Sequence, residues 1–150
     1  MPSLPIIDLH CDLLMYLAKV PNTSIYDLED IGVTVPYLQE GNVRHQVMAI
    51  FASTNDESVN WGKQELAAFQ SMLTADEFYL IDSAEKAQGI PTSDKIGVTA
   101  ALENASVLVL EEEPLDKAFE RLDAFEEGCG HLFYIGFTHH TENRFGGGNY

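Results

Sequence analysis

Two stretches limit the possible folds more than any other feature of this chain. Residues 43–52 end in the uninterrupted apolar run Val47-Met48-Ala49-Ile50-Phe51-Ala52, and residues 95–104 are apolar from Ile96 until Glu103. A strand with one wet face alternates apolar and polar side chains, whereas continuous apolarity fits a parallel strand buried on both faces. Leu4-Pro5-Ile6-Ile7-Asp8-Leu9-His10 reads as a further buried strand, and residues 131–140, ending in His139-His140, as a fourth. Phe78-Tyr79-Leu80-Ile81 is a short strand or an extended link.

Helical patterns separate these runs. Leu13, Leu14 and Leu17 give a short helix that meets Pro21, and 21–34 is a long loop of the kind that often carries function. Residues 35–42 make one or two helical turns, with Pro36 early and Gly41 closing. Residues 57–75 place Leu66, Phe69 and Leu73 at helical spacing beside Met72 and Trp61. Ser83 to Ala87 adds a turn or two of helix, and Pro91 to Asp94 is a loop. Residues 114–127 align Leu115, Ala118, Phe119, Leu122 and Phe125 before Gly128 and Gly130. The alternation predicts a parallel sheet with helices outside, either a small open sheet or the first half of an eight-unit barrel. A Gly-rich loop, 141–150, follows the last strand where a helix is due, so the expectation is a truncated fold.

With 150 residues and 45% hydrophobic content, the chain is long enough for one soluble domain with a real core. Its formal charge of −16 repels phosphate backbones and anionic membranes, which argues against a nucleic-acid partner. No apolar run is long enough for a membrane span, and the first residues have neither the basic region nor the apolar core of a signal peptide. A cytoplasmic location is expected, with export left open. Cys11 and Cys129 form no zinc-ribbon spacing and no disulfide framework, so reduced thiols are the default.

The chemistry gathers at one end of the strands. His10 with Asp12, Glu103, and His139 with His140 all fall at carboxyl ends, where ligands collect in parallel sheets and barrels. His10 and Asp12, two apart on a strand, share a face, and imidazole and carboxylate are both zinc ligands. Cys11 points away and reads as a small buried hydrophobe. Each polar residue also has a plainer reading, as a helix cap or a solvated strand end. Only one of His139 and His140 can face a site. His45 and His131 sit at strand starts and read as structural. Gly146-Gly147-Gly148 lacks the Lys and the helix of a phosphate loop and reads as a flexible active-site loop. Glu111-Glu112-Glu113 reads as favourable charge ahead of a helix.

These motifs together resemble the membrane dipeptidase (renal dipeptidase) family of zinc peptidases, over the whole chain. Ile7-Asp8-Leu9-His10-Cys11-Asp12-Leu13 is similar to the family's opening metal motif. Val35-Pro36-Tyr37-Leu38-Gln39-Glu40-Gly41 with Gln46-Val47-Met48-Ala49-Ile50-Phe51 resembles its second-strand block. Ile96 to Glu103 resembles the strand ending in a metal-bridging glutamate, and Tyr134 to His139 the strand carrying a substrate-binding histidine.

The resemblance implies a (β/α)8 TIM-barrel metallohydrolase seen through its first four βα units, with residues 1–150 as the N-terminal half of one barrel domain. It implies two Zn2+ ions, His10 and Asp12 as ligands of one, Glu103 bridging both, and His139 as a catalytic residue at the scissile region of a dipeptide substrate. Asn104-Ala105-Ser106 departs from the family's Gly-Gly-His, which alters the wall beside the metals. The two histidines for the second zinc, the arginine for the substrate carboxylate and the acidic catalytic residue would lie beyond the fourth strand. The expected function is zinc-dependent dipeptide hydrolysis in the complete barrel. The alternatives are another metal-dependent amide or lactone hydrolase, and a non-catalytic half-barrel. A half-barrel would need a homo-oligomeric partner or a C-terminal half to cover its open edges.

Overall fold

A computed structural model of the chain describes residues 4–90 and 94–149. The strands are β1 (Ile6–Cys11), β2 (Val43–Ile50), β3 (Phe78–Leu80), β4 (Ile96–Leu102) and β5 (Leu132–Ile135). The helices are α1 (Leu13–Lys19), α2 (Val35–Glu40), α3 (Ser58–Met72), α4 (Ala84–Gln88) and α5 (Asp116–Cys129), with a 3-10 turn at Ala105–Val107. All strand pairings are parallel, in the order β1-β2-β4. β3 and β5 share the remaining flank of β4, β3 beside Ile96 to Val98 and β5 beside Ala100 to Leu102. The result is an α/β fold built on a curved, parallel half-barrel sheet. Among the described residues no helix is long and apolar enough to cross a membrane. The loop Pro91 to Asp94 expected from sequence lies, except for Asp94, outside the described residues.

The period of two along β2 and β4 separates two surfaces. Met48, Ile50, Val98, Ala100 and Leu102 pack under the helices with Leu13, Leu14, Phe69, Met72 and Phe125. Leu13 and Leu14 are completely buried, each worth about 1.5–3 kcal/mol of apolar transfer. His45 and Thr99 project to the other, concave face, where they line a cavity of about 550 Å³ with Ile7, Ile81 and Phe133.

Three expectations need correction. β1 is not buried: Ile6, Ile7 and Leu9 are about half exposed, because β1 is an edge strand paired only with β2 and no layer covers its outer edge. The buried stripe of α3 runs through Val59, Gly62, Glu65, Phe69 and Met72, so a glutamate occupies its centre while Leu66 and Leu73 lie at its margin. On α5 the buried line is Ala118, Phe125 and Cys129, which turns Leu115 and Phe119 out to solvent.

Candidate metal centre

β1 ends where α1 begins, and that junction presents the first two candidate ligands. Asp12 occupies the N-cap position of α1 but makes no side-chain cap bond. Its carboxylate turns toward His10, with Oδ1 3.6 Å from Nε2. Cys11 points the other way, its Sγ 3.3 Å from Met48 Sδ, and burial pushes its thiol up to about 12, so it stays a protonated core residue.

Glu103 arrives from the next-but-one strand of the sheet. Its N–H donates to Ile50 O at 3.0 Å, so the β2–β4 ladder fixes the backbone that carries its side chain. Oε1 then lies 3.7 Å from His10 Nε2. One ligand atom each from His10, Asp12 and Glu103 fall within 4.8 Å of one another. On its other side, Gly136 N–H donates to Leu102 O at 2.7 Å, and a Cβ at Gly136 would sit 2.5 Å from Glu103 O. Only glycine permits that approach.

His139 reaches the same carboxylate, with Nε2 3.1 Å from Glu103 Oε1. The route differs from expectation: β5 ends at Ile135, so His139 is carried by the loop beyond it rather than by the strand. The Phe51 ring meets the His139 ring edge-on at 4.9 Å. His140 packs its ring on His139 at 3.9 Å, so of the two neighbours it is His139 that faces Glu103.

Sequence reasoning missed Tyr134. In the β4–β5 pairing four residues of β5 span what three of β4 do, from Ala100↔Leu132 to Leu102↔Ile135. A bulge of this kind lets consecutive side chains share a face. Phe133 accordingly packs on His45, while the Tyr134 hydroxyl lies 2.7 Å from His10 Nδ1. Desolvation and the neighbouring Glu103 and Asp12 raise the Tyr134 pKa, so the phenol keeps its proton. In the tautomer whose Nδ1–H donates to that oxygen, Nε2 keeps its lone pair for a metal ion. The extra residue in β5 is invisible in the chain taken alone, because it exists only as a mismatch of register.

Asn104 was read only as a departure from a family pattern. It is 1% exposed and ties three elements together. Its Nδ2 donates to Ala52 O at 2.9 Å, and its Oδ1 accepts from Ser106 N–H at 3.2 Å and from Asn143 Nδ2 at 2.9 Å. Asn143 donates in turn to Phe137 O at 2.7 Å. The Gly-rich loop is thereby knotted to the end of β4, and Asn149 N–H closes it on His140 O at 3.0 Å.

The remaining candidates fall away from this centre. His45 bonds Thr99 Oγ1 at 3.0 Å, and His131 lies exposed 3.7 Å from Glu126; both line the cavity of the concave face. The 21–34 loop lies toward the opposite end of the sheet, where Tyr26 bonds Glu77, the residue before β3. Glu113 is an anchor for Arg121, with Oε1 accepting from Nη2 at 2.6 Å.

The donor set suits a divalent cation. One imidazole nitrogen and two carboxyl groups meet with no lysine or arginine among them. Ligands of a tetrahedral ion held at about 2.1 Å stand about 3.4 Å apart, close to the His10 separations. A histidine whose other nitrogen is held by a hydrogen bond is also typical of metal ligation.

No curated protein matches the chain. The fold is similar to the crystal structure of dipeptidase AC, a metallopeptidase of family M19, with a TM-score of 0.75 at 14% sequence identity. That likeness covers 91% of this chain and 43% of the other, so this chain spans less than half the length of that protein. The model of the membrane dipeptidase family, peptidase family M19, matches residues 1–149. By that match the chain belongs to the membrane dipeptidase family.

Proposed function

We propose that this chain supplies the first half of the active site of a zinc-dependent dipeptidase, within a (β/α)8 barrel of which it forms the first four βα units. The observation that carries the reading is the convergence of His10, Asp12 and Glu103 at the carboxyl ends of β1 and β4, with His139 on the same glutamate. In this reading His10, Asp12 and Glu103 would be the residues that hold zinc. Bound there, a divalent ion supplies Lewis acidity, polarising a carbonyl and making water nucleophilic near neutral pH.

The chain's own residues have separate roles. Tyr134 holds His10 in the tautomer and orientation that expose Nε2. The β2–β4 ladder fixes Glu103. His139, an N–H donor beside Glu103, is placed to bond the carbonyl oxygen of a dipeptide as negative charge develops there; loss of such a donor costs about two to three orders of magnitude in kcat.

Two measurements test the reading. Zinc titration of the chain is expected to show one weak site, lost in His10→Ala and in Glu103→Gln; two tight sites, or binding indifferent to both variants, would remove the ligand assignment. A panel of dipeptides, amides and lactones presented to the complete protein is expected to give dipeptide hydrolysis, and turnover of lactones alone would favour the other hydrolase class.

A further inference from the structure

The described residues contain one buried carboxylate that the proposed chemistry does not use. Glu65, at the centre of the buried stripe of α3, is completely inaccessible to solvent. Burial pushes its carboxyl up to about 7, against the opposing pull of the Phe51 N–H and Lys19, with the Asp12 charge adding to the rise. An aliphatic side chain would satisfy the packing of α3 at no electrostatic cost, so the carboxylate needs a local reason to be there.

Its contacts supply one. Glu65 Oε2 accepts from Phe51 N–H at 2.7 Å, the first amide after β2. Oε1 faces Lys19 Nζ at 3.5 Å and has no hydrogen bond otherwise. Lys19 in turn stands over the Trp61 ring at 4.9 Å and the Phe51 ring at 5.9 Å. Phe51 therefore has its backbone held by the Glu65 carboxyl oxygen, and its ring lies 5.9 Å from the Lys19 ammonium and 4.9 Å from the His139 ring. The end of β2 is where the sheet ladder stops and the chain turns toward α3. Without the carboxylate the Phe51 amide would be free to rotate out of line.

We propose that Glu65 is a positioning residue for His139, acting through Phe51. The pairing of α1 and α3 by Lys19 and Glu65 sets where the β2 terminus lies, the β2 terminus sets the Phe51 ring, and the ring forms the wall against which His139 faces Glu103. The role of His139 in dipeptide hydrolysis rests on the reading above; the positioning itself does not.

The test is therefore spectroscopic. The ring protons of His139, assigned by their loss in His139→Gln, carry the ring-current displacement of Phe51, and Phe51→Leu defines the signal without it. In Glu65→Ala the His139 signal is expected to move to the Phe51→Leu position, and the Phe51 amide to exchange about tenfold faster or more, as loss of a buried hydrogen bond implies. Glu65→Gln, which keeps an acceptor oxygen, is expected to restore the wild-type signal. Should Glu65→Ala not fold, Glu65→Asp, which retains the charge for Lys19 but draws the oxygen back from Phe51, carries the same expectation. A folded Ala or Asp variant with an unmoved His139 signal overturns the proposal, as does a Gln variant that behaves like Ala. These signals need neither metal nor substrate, so the outcome is independent of whether the protein cleaves dipeptides.

Discussion

Tyr134 on β5 and Gly136 just beyond its end touch the candidate ligands from two residues apart. The phenol orients His10, and the missing Cβ lets β5 close on the backbone of Glu103. Tyr134→Phe removes one oxygen and leaves the ring, so the fold should survive while zinc affinity falls about 10- to 100-fold, the usual effect of losing a partner that orients a metal ligand. Competition with a chromophoric chelator reads this directly, and an unchanged affinity would show that His10 is oriented without it. Gly136→Ala acts on stability instead. Its Cβ would meet a backbone oxygen, which cannot swing aside as a flexible side chain can, so the urea midpoint should fall by the equivalent of about 1–3 kcal/mol. Gly32, with nothing within 4 Å of its would-be Cβ, is the control, and Gly32→Ala should change the midpoint little. Neither residue was legible as functional in the sequence. His10, Asp12, Glu103 and His139 could be singled out as candidates, because their chemistry and their place at or just beyond the predicted strand ends are properties of the chain. Tyr134 depends on a bulge, and Gly136 on a neighbour 33 residues away.

At the scale of elements, the segment between the 3-10 turn and α5 is held by arginines as well as by the buried Leu108 and Val109. Arg121, one turn into α5, grips Glu113 through both oxygens and also donates to Leu108 O at 3.0 Å. Arg144, from the Gly-rich loop, donates to Leu110 O at 2.9 Å and to Glu113 O. The clamp thus links α5, the linker before it and the loop that carries His139. The bidentate Arg121, together with the Leu110 N–H, holds the Glu113 carboxyl down at about 2. A carboxylate with a depressed folded-state pKa adds stability above its ordinary value near 4.5, and that contribution is lost as pH falls toward 2. Urea midpoints for wild type and Glu113→Gln should therefore differ by a constant amount from pH 8 to pH 5 and converge below about 4.5. A gap that stays undiminished down to pH 2 would mean the glutamate acts by shape rather than charge. The same elements mark how far periodicity carries. It located α1, α3 and α5, because a stripe of apolar residues survives errors of one position. It missed the facing of α5 and the glutamate in α3, because a polar residue with a dedicated partner enters a core without changing the pattern around it.

At the scale of the whole molecule, two properties oppose one another. The concave face and the β1 edge leave Ile6, Ile7, Leu9 and Phe133 about half exposed, a set of apolar groups beside unpaired strand backbone. Such a surface favours association. The net charge of −16 on 150 residues resists it. Charge repulsion between exposed groups fades as salt shortens the screening length from about 30 Å at 0.01 M to about 8 Å at 0.15 M, while apolar burial does not weaken. Association of this chain should therefore rise with ionic strength, the reverse of a contact held by ion pairs. Sedimentation velocity between 0.01 and 0.5 M salt should show the weight-average mass increasing. Ile7→Lys with Leu9→Lys should hold it near one chain throughout, since lysines on an edge strand block pairing. A mass independent of salt, or unchanged by the two lysines, would place any self-contact elsewhere on the surface and leave the concave face solvated.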